Sequence, residues 1–263
     1  MKITIIGFGV VGKALLYGFK KLGHDCLTID KNNLGDFKKV INSEIIFLTL
    51  PTPLKKNQLD QSIIEMYLKK LSKINFKGLV VIKSTVLPGS TDKYIKIFKN
   101  LNICYVPEFL RERCAKKDFV ENHDLLLIGT KSKKNYKLIK EVHGKYPKKI
   151  VQTKIINTEF IKFYSNIYNA IRVTFANSFY DVVKKTNGNY NEILKTYLLL
   201  NKSSGYYLKS SENLRGFAGA CLPKDLSSFI EFAKNKKVNS FFLKSAKKYN
   251  NSIKKTVFKN MRK

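Results

Sequence analysis

The stretch Lys2-Ile3-Thr4-Ile5-Ile6-Gly7-Phe8-Gly9-Val10-Val11-Gly12 opens on a short apolar run and closes on G-x-G-x-x-G spacing. Ala14, Leu15, Leu16, Phe19 and Leu22 follow at helical intervals, Gly23 punctuates them, and Cys26–Asp30 reads as a second strand. Strand, glycine turn, helix, strand and terminal acid is the dinucleotide-binding arrangement, and each part has a mechanical reason. Gly7 makes the tight turn, Gly9 admits a pyrophosphate, and Gly12 lets the helix pack close to the strand. The pyrophosphate rests on the helix N-terminus. Asp30 falls where a carboxylate can accept from both hydroxyls of an adenosine ribose, while Lys31 beside it would instead suit a 2′-phosphate. Gly7, Gly9, Val10, Val11, Gly12 and Asp30 are the candidate cofactor contacts.

Outward from this start the alternation continues. Strands are expected at Glu44–Leu50, Leu79–Ile82, Ile103–Val106 and Leu125–Ile128, and helices at Ser62–Leu71, Thr91–Phe98 and Lys137–His143. Strands separated by helices imply a parallel sheet covered on both faces, with ligands beyond the strand C-termini. Those ends carry Thr49–Pro53, Lys83–Gly89 and Pro107–Glu112, three loops bearing hydroxyls or carboxylates. From Lys154 the pattern becomes a long helix, apolar over much of its circumference, on which Glu159, Lys162 and Asn166 share a face. Helical pieces at Ile193–Leu200 and through Phe242, Ala246, Tyr249, Ile253 and Val257 complete it. The expected fold is α/β: a parallel-sheet dinucleotide domain over 1–152, followed by an all-α domain over 153–263.

Gly216-Phe217-Ala218-Gly219-Ala220-Cys221-Leu222-Pro223-Lys224-Asp225 sets a cysteine between glycines and the first turn of a helix. Pro223 suits that turn. A thiol beside the positive end of a helix and a lysine is placed to act as thiolate. A buried, inert cysteine is the bland alternative. Cys26, Cys104, Cys114 and Cys221 show no C-x-x-C spacing, so reduced cytosolic thiols are expected. The N-terminal apolar run is too short for a signal peptide or a membrane span. Lys and Arg number 50 against 19 Asp and Glu, a net charge of +31. The lysines are spread along the chain without a nucleic-acid motif, so compositional bias is preferred to nucleic-acid binding, though such a surface attracts polyanions.

These motifs, in order, resemble the UDP-glucose/GDP-mannose dehydrogenase family from Met1 to about residue 251. The resemblance rests on the glycine fingerprint with Asp30, Pro51-Thr52-Pro53, Lys83–Gly89, Pro107-Glu108-Phe109-Leu110-Arg111-Glu112, Glu159/Lys162/Asn166 and Gly219–Asp225. The Pro-Glu-Phe-Leu-Arg-Glu form favours the glucose or mannose type. It implies a Rossmann-type domain followed by a helical central domain, NAD as cofactor, no metal, and a homodimer through the long helix. It implies two oxidations of a nucleotide sugar such as UDP-glucose at C6, giving the uronate. Cys221 attacks the aldehyde; Lys162 and Asn166 stabilise the oxyanion; Asp225 does base work; Glu108 and Thr85 position water. Glu108, Phe109, Leu110, Glu112, Lys162, Asn166 and Gly216 would contact substrate, and Thr52, Pro53, Thr85 and Lys224 the cofactor.

The chain departs from the pattern in places. The segment after Asp30 is short, Arg113 follows Glu112 where glycine is usual, His123-Asp124-Leu125 replaces Pro-Asp-Arg, and Ser178 and Ala218 replace Glu and Gly. The sequence ends at Lys263, where the family continues into a nucleotide-binding domain. The expectation is therefore a complete catalytic set with an incomplete substrate grip, in part offset by Tyr206, Tyr207, Lys209 and Arg215, or completed by a separate chain. A catalytically idle module and a short β-hydroxyacid dehydrogenase are the competing readings.

Overall fold

A computed structural model describes residues 1–30, 37–201 and 207–257. By internal packing the chain divides into two units, Met1–Pro53 with Leu59–Lys162, and Leu54–Gln58 with Phe163–Lys263.

In chain order β1 (Lys2–Ile6), β2 (Asp25–Ile29) and β3 (Ile45–Leu48) precede the hairpin β4 (Leu54–Lys55) and β5 (Gln58–Leu59), whose residues 54–58 are assigned to the second unit. They are followed by β6 (Leu79–Ile82), β7 (Asn102–Tyr105), β8 (Leu126–Gly129) and β9 (Ile150–Thr153). Seven of these form one sheet in the order β2-β1-β3-β6-β7-β8-β9. The strands read as unbroken apolar runs because both faces are covered: β3, β6 and β8 are buried at every residue. Alternate residues divide between two layers. Ile3, Ile5, Ile45, Phe47 and Val81 face a cluster with Leu15 and Phe19 of α1 (Val10–Lys21) and Ile139 and Val142 of α5 (Lys133–His143). Ile6, Ile46, Leu48, Val80 and Ile82 face Ile64, Leu68 and Leu71 of α2 (Ser62–Lys73) and Tyr94 of α3 (Ser90–Ile97).

The sheet is parallel with one exception. β8 meets β7 antiparallel at the single pair Tyr105↔Gly129, and β9 then runs parallel to β8. Several short elements were not anticipated. The β4–β5 hairpin turns through Lys56 and Asn57 at φ 49° and 62°, a tight turn without glycine. The helix α4 (Ala115–Val120) is six residues long, too short to show a period, and β9 is mostly exposed.

The second unit is helical, with α7 (Tyr190–Asn201), α8 (Leu222–Asn235) and α9 (Phe241–Ser252). The helix α6 (Ile155–Lys185) supplies residues to both units. Phe163 of α6 packs on Phe229 of α8 at 5.5 Å. The last helix stops at Ser252, so Ile253 and Val257, expected on it, lie beyond it. Among the described residues no helix is long and apolar enough to cross a membrane.

Candidate active site

The register explains why the motifs gather on one rim. Ile6 pairs with Leu48, Leu48 with Ile82, and Ile82 with Tyr105, so the chain leaves β1, β3, β6 and β7 along one edge. Gly7, Thr49, Lys83 and Val106 are the next residues in each case.

At the first exit Gly7 has φ +98°, and its N–H donates to the Ile29 carbonyl at 2.8 Å. A Cβ there would lie 2.5 Å from the Thr49 carbonyl oxygen, and one on Gly12 would lie 2.1 Å from that of Gly7. A Cβ on Gly9 would meet nothing within 4 Å. The two outer glycines are therefore packing requirements, and the middle one faces open space. The first turn of α1 has no side-chain cap and no acidic residue, so its N–H groups are left for an anionic ligand. These residues fit a dinucleotide pyrophosphate. Asp30 follows the end of β2. Lys31 and the short segment after Asp30 lie outside the described residues.

On the same rim Thr52 is buried, Pro53 exposed and Thr85 half-buried. The Ser84 hydroxyl joins the β3 and β6 exits, accepting from the Leu50 N–H and donating to the Leu50 carbonyl, both at 2.8 Å. Beyond it, Lys83 and Glu108 form a buried ion pair at 3.0 Å. Burial pushes the Glu108 carboxyl up, but Lys83 and the Phe109 N–H outweigh it, so the net shift is downward. Lys162 donates to the Glu108 carbonyl at 2.5 Å, with its ammonium 5.4 Å from the centre of the Phe109 ring. Phe109 and Leu110 are half-buried, and Glu112 is exposed at the start of a 3-10 turn.

Glu159 has a different task from its helical neighbours. Fully buried, it accepts from the Gly89 and Thr91 N–H groups at 2.6 and 2.9 Å, capping α3 from a distance in sequence. Burial raises its pKa despite those bonds.

In the helical unit Cys221 is the N-cap of α8, its carbonyl accepting from the Asp225 N–H at 2.8 Å. Its side chain is exposed, while Cys104 is buried and Cys26 and Cys114 are partly so. One turn on, the Asp225 carboxylate is fully buried, receiving Asn166 Nδ2 and Lys224 Nζ at 2.5 Å each. Gly216, at φ +70°, donates its N–H to Asn177, and Phe217 exchanges two hydrogen bonds with the Asn250 amide. Sequence reasoning missed Asn177 and Asn250, whose only signal is a polar residue on a helix face that later proves buried.

Arg215, expected to help grip substrate, is engaged within the protein. Its guanidinium forms a forked pair with Asp181 at 2.5 and 2.8 Å, and Tyr249 donates to the same carboxylate. Tyr206 lies outside the described residues. Arg111 is likewise taken up, by Asp118 of α4.

Two family models match the chain. The UDP-glucose/GDP-mannose dehydrogenase family, NAD binding domain, covers residues 35–146, and the same family's central domain covers residues 157–252. A UDP-glucose 6-dehydrogenase of Rickettsia prowazekii is 29% identical over 295 aligned positions, which cover 95% of this chain and 67% of that protein. A GDP-mannose 6-dehydrogenase of Pseudomonas aeruginosa is 27% identical, covering 86% of this chain and 63% of its own. The solved structure of a UDP-glucose dehydrogenase from Pyrobaculum islandicum superposes with a TM-score of 0.86 at 22% identity, over 95% of this chain and 68% of that one. The chain thus spans about two thirds of the length of the curated relatives it matches.

Proposed function

The chain belongs to the UDP-glucose/GDP-mannose dehydrogenase family, and from that membership we propose that it is an NAD-dependent nucleotide-sugar 6-dehydrogenase. It oxidises UDP-glucose, or a related nucleotide sugar, twice at C6 to the uronate. The observation that carries this reading is Cys221, an exposed thiol at the N-cap of α8, whose first turn carries Asp225 bonded to Lys224 and to Asn166 of α6.

The labour divides between residues 1–152, which bind cofactor, and 153–263, which supply the nucleophile. Gly7, Gly9, Gly12 and the N-terminus of α1 hold the dinucleotide, with Val10 and Val11 presenting their backbone and Asp30 taking the ribose. Thr52, Pro53, Thr85 and Lys224 complete the cofactor contacts. When bound, NAD+ supplies the hydride acceptor for both oxidations. The Cys221 sulfur adds to the C6 aldehyde carbon, and the carbonyl oxygen takes a proton, giving a thiohemiacetal. Oxidation of that carbon leaves a thioester. Water then cleaves the C–S bond, returning the thiol and releasing the carboxylate.

Lys162 and Asn166 donate to the oxyanion that forms at each addition. Glu108, ionised by its pairing with Lys83, and Thr85 orient the water. Asp225 keeps Asn166 and Lys224 in place, and its base work near Cys221 passes through water. Phe109, Leu110, Glu112 and Gly216 line the sugar's place.

A homodimer is part of the same reading. Tyr164, Tyr168, Phe175, Phe179 and Val182 recur along one stripe of α6, each 44–75% exposed, and a second copy would cover them.

The experiment is an NADH assay of the purified chain against a panel of nucleotide sugars. Two NADH per uronate from one of them, with NAD+ preferred over NADP+, is the expected result. Formation of NADH from none would leave the alternative, a module whose nucleotide site is completed by a separate chain.

A further inference from the structure

We propose that Asp118 is a positioning residue for the Pro107–Glu112 loop, holding through Arg111 the segment that presents Phe109, Leu110 and Glu112. Asp118 lies on α4, is 5% exposed, and gathers donors from Arg111 of the loop and from Cys114 and Asn122 on either side of α4. The Arg111 backbone N–H reaches it at 3.0 Å, and the Arg111 Nε and NH2 groups at 2.8 and 2.5 Å. The Cys114 thiol and the Asn122 amide add bonds at 3.4 and 3.3 Å. A lone surface ion pair would contribute little. This carboxylate is buried and forked, and it also takes a main-chain N–H, so it fixes direction as well as distance.

The loop is held at two points. Its near end is Glu108, gripped by Lys83 through the carboxylate and by Lys162 through the carbonyl. Its far end is Arg111, whose carbonyl accepts from the Cys114 N–H at 3.1 Å and so starts the turn that carries Glu112. The bonds of Asp118 go to Arg111, Cys114 and Asn122, none of them at Glu108 or in the glycine turn at β1, so its removal frees the far end. The loss therefore falls on substrate and spares cofactor. The side-chain roles at the loop rest on the proposed function; the anchoring does not.

The test uses Asp118→Ala, with Asp118→Asn as the shape-preserving variant should the first fail to fold and Arg111→Lys to keep the charge without the fork. Four quantities are read: hydrogen exchange of the Arg111 amide by NMR, NAD+ affinity by titration, and KM and kcat for UDP-glucose. Exchange should quicken by about tenfold or more and KM rise by about tenfold, with NAD+ affinity unchanged and kcat falling less than KM rises. Arg111→Lys should raise KM in the same direction. Unchanged exchange, or quickened exchange with an unchanged KM, overturns the inference. If the wild-type chain oxidises no nucleotide sugar, the functional reading fails, and the exchange rate alone decides whether Asp118 holds the loop.

Discussion

Exposure separates the four cysteines before chemistry does. Burial drives the Cys26 thiol up to about 11, raises Cys104 further, and also raises Cys114, whereas Cys221 stands exposed at the head of α8. Iodoacetamide should therefore alkylate Cys221 first, as read by peptide mass spectrometry, and Cys221→Ala should abolish uronate formation while leaving slow aldehyde formation. Uronate made by Cys221→Ala at near the wild-type rate would sink the covalent mechanism. Histidine carries the second residue-scale effect. Burial lowers the pKa of His24, His123 and His143, and His143 lies among Phe19, Phe47 and Phe119 with ring centres 5.4 to 6.0 Å away. Because the folded values lie below the ordinary 6.5, the unfolded chain binds more protons once the pH drops under about 6.5. Stability is full above that pH and falls as the folded values are approached. His143→Leu should flatten the melting temperature against pH between about 6.5 and 5, and an unchanged slope would remove His143 as the cause. Cys221 was legible from its neighbours in sequence. The partners of Asp118 and Asp225 were not, because a carboxylate on a helix reads as solvated until something is packed against it.

Among the elements, α1 shows most directly how sequence constrains geometry. Its close seating needs a bare α-carbon at Gly12, where a Cβ would lie 2.1 Å from a carbonyl oxygen. Gly12→Ala should cost about 1–3 kcal/mol in urea melts and weaken NAD+ binding, since the turn must open to relieve the overlap. Gly9→Ala, with open space around it, should spare stability and harm only cofactor binding. Equal stability losses for both would contradict this division. The helices α1, α2 and α6 were readable because each is long enough to show a period. The pieces that escaped are those where period carries no information: the two-residue strands β4 and β5, the short α4, and β9, whose residues are half-exposed or exposed. The antiparallel step at β8 escaped for another reason. Strand direction is a property of the connection, and the chain between β7 and β8 is a loop with one short helix rather than a long crossover.

For the whole molecule, the exposed apolar stripe on α6 is where the proposed dimer would form. Phe175→Asp should shift the chain from dimer to monomer in light scattering, without loss of helical signal, because Phe175 is 59% exposed in the single chain. A wild-type chain that is already monomeric would remove the dimer. The sequence alone determined the glycine turn, the alternation that makes a layered α/β unit, the change to helix near Lys154, and the cysteine at a helix start. These are local patterns, set by steric freedom and periodicity within a few residues. Only the tertiary structure decided that Glu159 caps α3, that Lys83 and Lys162 grip the two ends of the Glu108 residue, and that Arg111 and Arg215 are spent on Asp118 and Asp181. Each of those contacts joins residues whose charge reads the same whether they meet a ligand, water or one another. The choice among those partners is made by burial, which exists only once the elements have packed.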